Sequence, residues 1–388
     1  MLSFDNTENA FRSKTNGELK QAHWLFKMIS SPVLVVFGKY ATQFANAIHF
    51  PIGIFLKKNV FKQFCGGESI PQCAQTTKTL DLHNIGTILD YSVEGKEKEE
   101  VFEATKNEVL KTIATAHNNE HIPFSVFKVS GIARFDLLEK INEKKELSQE
   151  EENEFDRIKD RINQLCFEAN KTGTPLFIDA EESWIQDAID TIVTRMMVKY
   201  NREKAIVFNT IQMYRWDRLD YLKTAVAKAK KEGYYYGIKI VRGAYMEKEN
   251  DRAEDLGYKT PIQPDKQHTD DDYNAALRFC IKNIDVISVC AGSHNEESAM
   301  ILVQLLDEFG VSKEDKRVYS AQLFGMSDHI SFNMAHAGYN VAKYVPYGPI
   351  REVIPYLIRR AEENTSVKGQ TGRELALIKK EIKRRKKL

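Results

Sequence analysis

The chain has 388 residues, 42% of them hydrophobic and 29% charged, with a formal net charge of +1 at pH 7. That is enough apolar material for one domain of about 250–300 residues plus appendages, and too balanced a charge to gather nucleic acid. The five cysteines form no CxxC pair and have no histidine at ligand spacing, which argues against structural zinc and a disulfide framework and points to reduced thiols.

The amino terminus, "MLSFDNTENAFRSKTNGELK", is polar, has no apolar signal core and carries acids that a transit peptide avoids. The expectation is a soluble, cytoplasmic protein that opens with a helical region over residues 1–79. No segment reaches the ~20 apolar residues that span a bilayer; the longest, "FANAIHFPIGIFL", carries His49 and Pro51. Eight short β-rich runs then alternate with helical ones. They are "GTILDYSV" (86–93), "FSVFKVS" (124–130), "PLFIDA" (175–180), "AIVFN" (205–209), "YGIKIV" (236–241), "DVISVC" (285–290), "RVYSAQL" (317–323) and "NVAKYVP" (340–346). Strict alternation means parallel strands joined by crossovers, and eight such units suit a closed (βα)8 barrel over 80–367. An open doubly wound sheet is the competitor, but no glycine-rich fingerprint follows the first run. The charged stretch 136–171 reads as a helical insertion, a pair of helices with a solvated face on the barrel's outside. The basic end at 368–388, "LALIKKEIKRRKKL" included, reads as a frayed helix terminus or as a contact with a membrane surface.

In such a barrel the chemistry collects at the carboxyl ends of the strands. Polar residues there include Lys128, Asp179, Asn209, Gln212, Lys239, Arg242, Ser293, His294 and Asn295, with Gln322, Leu323 and Tyr344 closing the last two strands. The segment "YVPYGPIREVIPYLIRRAEEN" (344–364) adds a helix on which Tyr356, Arg359, Arg360 and Glu363 share an arc of about 100°. Cations outnumber anions in this set. Two guanidiniums on one helix face suit a small carboxylate, which a planar fork binds with two charge-assisted bonds. "VRGAY" (241–245) offers small residues for close approach of a phosphate or ring. No nucleophile elbow, Cys–His pair or metal-spaced histidine set is present. These residues alone leave open a cofactor-bound barrel enzyme, a Schiff-base lyase using Lys128 or Lys239, and a binding protein for a small anion.

Taken in order, "ILDYSVEG", "IDAEES", "FNTIQMY", "KIVRGAYMEKE", "SHN", "QLFGM" and "YVPYG…PYLIRRAEEN" resemble the proline dehydrogenase family, over about residues 80–367. The resemblance implies a distorted, TIM-like (βα)8 barrel and non-covalent FAD. It also implies oxidation of L-proline to Δ1-pyrroline-5-carboxylate by hydride transfer from C5 to flavin N5, with electrons passed to a membrane quinone. By the same resemblance Asp179 and Lys239 are catalytic, and Arg359 and Arg360 hold proline's carboxylate beside Tyr356 and Glu363. Lys128 and Leu323 join the substrate pocket, and Tyr344 packs on the ring. Ala180, Asn209, Gln212, Lys239, Arg242, Gly243, Ala244, Tyr245, Ser293, His294, Asn295 and Gln322 fall on cofactor positions; no metal is implied. The chain is too short for the second, aldehyde-oxidising domain of bifunctional relatives. Its insertion resembles the longer, eukaryotic-like members, while the want of a transit sequence favours a bacterial cytosol. Hydroxyproline is the alternative substrate; Tyr344 favours proline, because its ring would crowd a C4 hydroxyl.

Overall fold

The computed structural model of the chain describes residues 2–29, 60–92, 98–354, 356, 357 and 370–387. Eight parallel strands close into a barrel in sequence order. They are β1 (Ile85–Tyr91), β2 (Phe124–Lys128), β3 (Leu176–Asp179), β4 (Val207–Gln212), β5 (Tyr236–Val241), β6 (Ile287–Gly292), β7 (Val318–Leu323) and β8 (Val341–Tyr347). Helices α1 (Thr7–Ala10), α2 (Asn16–Ile29) and α3 (Ile70–Asp81) precede β1. The crossovers carry α4 (Glu99–His117), α5 (Phe135–Asn142), α6 (Gln149–Thr172), α7 (Ser183–Tyr200), α8 (Arg218–Glu232), α9 (Met246–Leu256), α10 (Lys266–Lys282), α11 (Glu296–Glu308) and α12 (Asp328–His336), and α13 (Gln370–Arg385) follows β8. The α/β barrel expected from the alternation is what the chain forms.

Contacts divide the chain into two compact units, Met1–Glu94 with Gln322–Leu388, and Gly95–Ala321. In the second unit an aromatic plug fixes which strand faces look inward. Phe124 of β2 stacks on Phe177 of β3 at 4.3 Å and meets Tyr319 of β7 edge-on at 4.9 Å. A contact from β2 to β7 can be made only through the interior. Side chains alternate along a strand, so Lys128, Asp179, Thr210, Gln212 and Lys239, two or four residues beyond plug positions or paired with them, also face inward. The register agrees: Lys128 pairs with Asp179 and Thr210 with Lys239, and the Lys239 ammonium lies 5.5 Å from the Phe177 ring centre.

Strand ends shift by up to three residues from the sequence reading, β6 by two at each end, and two of the differences bear on the site. The run ending at Asn209 continues to Gln212, because Thr210 and Ile211 are strand formers that carry the ladder past a polar residue. Tyr344 stands in the middle of β8 rather than at its end.

The charged stretch 136–171 is more than a solvated face. Helix α6 opens with a capping box between Ser148 and Glu151 and stops at Gly173 in the left-handed region. Its inner stripe of Ile158, Ile162, Leu165, Cys166 and Ala169 is fully buried. The buried Arg161 donates to Glu103 at 2.7 Å and to the Ile132 carbonyl at 3.1 Å, pinning α6 to α4 and to the turn after β2.

In the first unit the basic end is not frayed. Leu377 and Ile378 of α13 join Leu19, Ala22, Leu25 and Phe26 of α2 in one apolar cluster. Arg385 closes the pair by donating to the Lys14 and Phe11 carbonyls at 2.7 and 2.8 Å.

Candidate active site

The second unit sets four predicted residues on the inner faces of β2 to β5. Asp179 and Lys239 form a close ion pair, and Lys239 is only 5% exposed. Half-buried Lys128 ends β2 beside Asp179. Gln212 ties two strand ends together: its amide donates to the Glu181 carbonyl at 2.7 Å and its oxygen accepts from the Ala244 N–H at 3.2 Å. Ala180, between Asp179 and Glu181 in sequence, is 9% exposed.

Asn209 does not join this face. It alternates with Thr210, points outward, and donates to Asp190 of α7 at 2.8 Å, where Arg218 also pairs with Asp190 at 2.9 Å. Burial raises the Asp190 carboxyl above its ordinary value, against the pull of Arg218 and its hydrogen bonds. The Asn209 side chain therefore braces the barrel against its helices, on the face opposite to Thr210 and Lys239.

Beyond β5 the guanidinium of Arg242 sits in a socket. It donates to Asp270 at 2.6 Å, Ser293 at 2.7 Å and Ser298 at 2.9 Å, and lies 4.4 Å from the Tyr273 ring centre. Gly243 follows with φ +142°, and a Cβ there would fall 2.5 Å from the Tyr214 ring. Only glycine fits that backbone. Tyr245 is buried at the start of α9. Asn295 caps α11 by accepting from the Ser298 N–H at 3.1 Å, and half-buried His294 lies between it and Ser293. The donors, the small residues and the exposed Gly243 fit the phosphate and ring parts of a nucleotide cofactor. In addition, the Thr210 hydroxyl, on the inward face beside Lys239, is buried with no hydrogen-bond partner among the described residues, an orphan that a bound polar group would satisfy.

The first unit holds the remaining residues. Tyr344 faces inward from β8 and is 7% exposed. Tyr356 is buried in the apolar cluster of α2 and α13, and Leu323 packs against the same cluster. Gln322, alternating with Leu323, accepts from Ser331 of α12 at 2.8 Å and, like Asn209, faces the helix layer. Arg359, Arg360 and Glu363 lie outside the described residues.

The sequence pattern of the family described as proline dehydrogenase matches residues 73–373. The chain belongs to the proline dehydrogenase family. Proline dehydrogenase 1, mitochondrial, of Dictyostelium discoideum is 33% identical over 432 residues, covering 98% of this chain and 74% of that protein. Proline dehydrogenase 1, mitochondrial, of Drosophila melanogaster is 40% identical over 250 residues, covering 62% of this chain and 37% of its own length. Among solved structures, proline utilization A from Bdellovibrio bacteriovorus, inactivated by N-propargylglycine, matches with a TM-score of 0.74 at 20% identity. That match covers 83% of this chain and 34% of the other, so the chain spans about a third of that protein, and at such identity it establishes the barrel fold alone.

Within this family frame the sequence reading missed three polar residues. Thr210 is one. Asp90, at the inward position near the end of β1 and 6% exposed, is another; it accepts from the Ser92 hydroxyl at 2.9 Å. The third is Glu181, 2% exposed, whose carboxylate accepts from the Ser130 N–H at 2.9 Å and from the Ser130 hydroxyl. Burial pushes its carboxyl up to about 7, in spite of those bonds. The signal for both acids was in the motifs "ILDYS" and "IDAEES", where a carboxylate follows an apolar strand at its active end.

Proposed function

We propose that the chain oxidises L-proline to Δ1-pyrroline-5-carboxylate with non-covalently bound FAD and passes the electrons to a membrane quinone. Membership of the proline dehydrogenase family supports the reaction. The observation that carries it is the inward row Lys128, Asp179, Gln212 and Lys239 at the active ends of β2 to β5. Lys239, Gln212, Gly243 and Ala244 would hold the flavin, with Arg242 and Ser293 toward its phosphates. When bound, FAD supplies the two-electron acceptor that takes the hydride from proline C5, while the ring nitrogen gives up a proton.

The protein's own work is placement and exclusion of water. Lys239, held by Asp179, keeps a fixed cation where negative charge would accumulate. Arg359 and Arg360, on the strength of the resemblance, clamp the substrate carboxylate. Tyr344, inward and buried, supplies a wall that admits a pyrrolidine ring and crowds a C4 hydroxyl. A Schiff-base lyase is the second reading. It needs a free amine, and the ion pair of Lys239 with Asp179 disfavours it.

The deciding experiment is an anaerobic titration of the purified protein, reconstituted with FAD, followed by flavin absorbance. Added L-proline should bleach the flavin bands with one equivalent of reduction. A protein that takes up no FAD, or a flavin that proline leaves oxidised, would overturn the reading, and trapping of a lysine adduct with borohydride would favour the lyase.

A further inference from the structure

The turn after β7, "LFGMS" (323–327), contains two left-handed residues, Gly325 at φ +78° and the non-glycine Ser327 at φ +50°. A Cβ at Gly325 would fall 2.0 Å from the Gln63 carbonyl oxygen. A turn so built persists only where its surroundings over-determine it, and here they do. Lys343, fully buried on the outer face of β8, donates to the Leu323 carbonyl at 3.3 Å and to the Met326 carbonyl, and pairs with Asp328 at 2.9 Å. The Gln63 amide donates to the Gly325 carbonyl at 2.8 Å. The Phe324 N–H reaches the Tyr344 carbonyl at 2.7 Å. Ser327, the left-handed residue, gives its N–H to the Glu374 carboxylate at 3.0 Å. Glu374 is 2% exposed, and it is the first residue beyond the family match at 373.

We infer that Glu374 of α13, with Gln63, is a positioning residue for substrate binding: it locks the 323–327 turn so that Leu323 stands pre-formed as a wall of the proline pocket. The inference rests on the proposed proline reading and on Leu323 belonging to that pocket. Leu323 packs against the α2–α13 cluster, and its carbonyl is held by Lys343, so the freedom left to it is that of the turn. That freedom is removed by two side chains lying outside the barrel strands. An anchored wall lowers KM because the ordering cost is met before substrate arrives; it leaves the hydride step alone. Burial raises the Glu374 carboxyl, which is consistent with a group kept for its place rather than for charge exposed to solvent.

The test is a double-variant cycle on the FAD-loaded enzyme. Glu374→Ala should raise KM for proline about tenfold with kcat changed less than twofold. It should weaken binding of cyclopentanecarboxylate, a non-oxidisable acid of proline's shape, by the same factor, read from the flavin spectrum. Glu374→Gln, which keeps an accepting oxygen for the Ser327 N–H, should recover most of the loss. Gln63→Ala leaves no buried charge behind and should show the same split, which keeps the test available where Glu374→Ala fails to fold. In combination with Leu323→Ala the effect should vanish, since the wall being positioned is gone. A lowered melting temperature with KM and analogue binding unchanged, or losses that add in the double variant, would make Glu374 merely structural. If the wild-type enzyme binds neither proline nor the analogue, the proline reading falls and this inference with it.

Discussion

Glu181 is a carboxylate that the fold encloses at some cost. Its ordinary value is 4.5, and burial, partly opposed by the two Ser130 hydrogen bonds and by Lys128, raises it to about 7. The folded chain therefore binds the proton more tightly than the unfolded chain, and the associated stability is complete below about 4.5 and lost as pH rises through about 7. The difference is on the order of 3 kcal/mol. Glu181→Gln should remove it: relative to wild type, the variant's melting temperature should climb between pH 5 and pH 8. A constant difference across that range would mean that Glu181 does not titrate there. The proposed carboxylate clamp is tested at the same scale. Arg359→Ala and Arg360→Met should each weaken proline by on the order of 2–3 kcal/mol, roughly 30- to 150-fold in KM, with FAD content kept. An unchanged KM in both would show that the pair is structural. Asn209 and Gln212 mark the limit of reading single residues from sequence. Both are polar amides near the end of one strand, three positions apart, and an odd spacing puts them on opposite faces. Once β4 is extended to Gln212, the alternation alone separates the helix-facing amide from the barrel-facing one.

At the scale of elements, the barrel was legible because its signal is repeated eight times, and each strand–helix alternation supports the next. The extra helices were harder. Helix α6 carries a run of acids and lysines whose average reads as solvated, although its buried stripe recurs at helical spacing, from Ile158 to Ala169. Helix α13 has the same disguise, since Glu374 and Glu381 are buried and spend their charge on internal partners. Burial of charged residues follows from which groups lie opposite them, and a sequence does not state that. The packed state of α13 can be measured. Leu377 is 1% exposed in the α2–α13 cluster, so Leu377→Ala should cost about 2–5 kcal/mol in urea or thermal unfolding. Exposed Lys379→Ala, two residues on, should stay within about 0.5 kcal/mol. Equal, negligible effects would return the helix to the frayed end that its composition suggests.

For the molecule as a whole, a net charge of +1 conceals an uneven distribution. Both acids of α13 are buried, so every charged side chain on its solvent side is a cation, Lys379 and Lys383 among them; with Lys386 just past its end these are exposed at spacings of four and three residues. Among the described residues no helix is long and apolar enough to cross a membrane; the cationic side of α13 is a surface by which the proposed delivery of electrons to a membrane quinone would be assisted. Each lysine held near an anionic leaflet contributes about 1 kcal/mol. The proposed quinone partner thus predicts that the holoenzyme sediments with vesicles containing phosphatidylserine and not with purely zwitterionic ones, and that added salt releases it, because exposed charges are screened beyond about 10 Å at 0.1 M. Reversing Lys379, Lys383 and Lys386 to glutamate should weaken vesicle binding by at least roughly a hundredfold, with turnover on a soluble dye acceptor unchanged. Equal binding to both vesicle types, or binding indifferent to the triple reversal, would take the contact away from α13 and leave the route to the quinone to another surface.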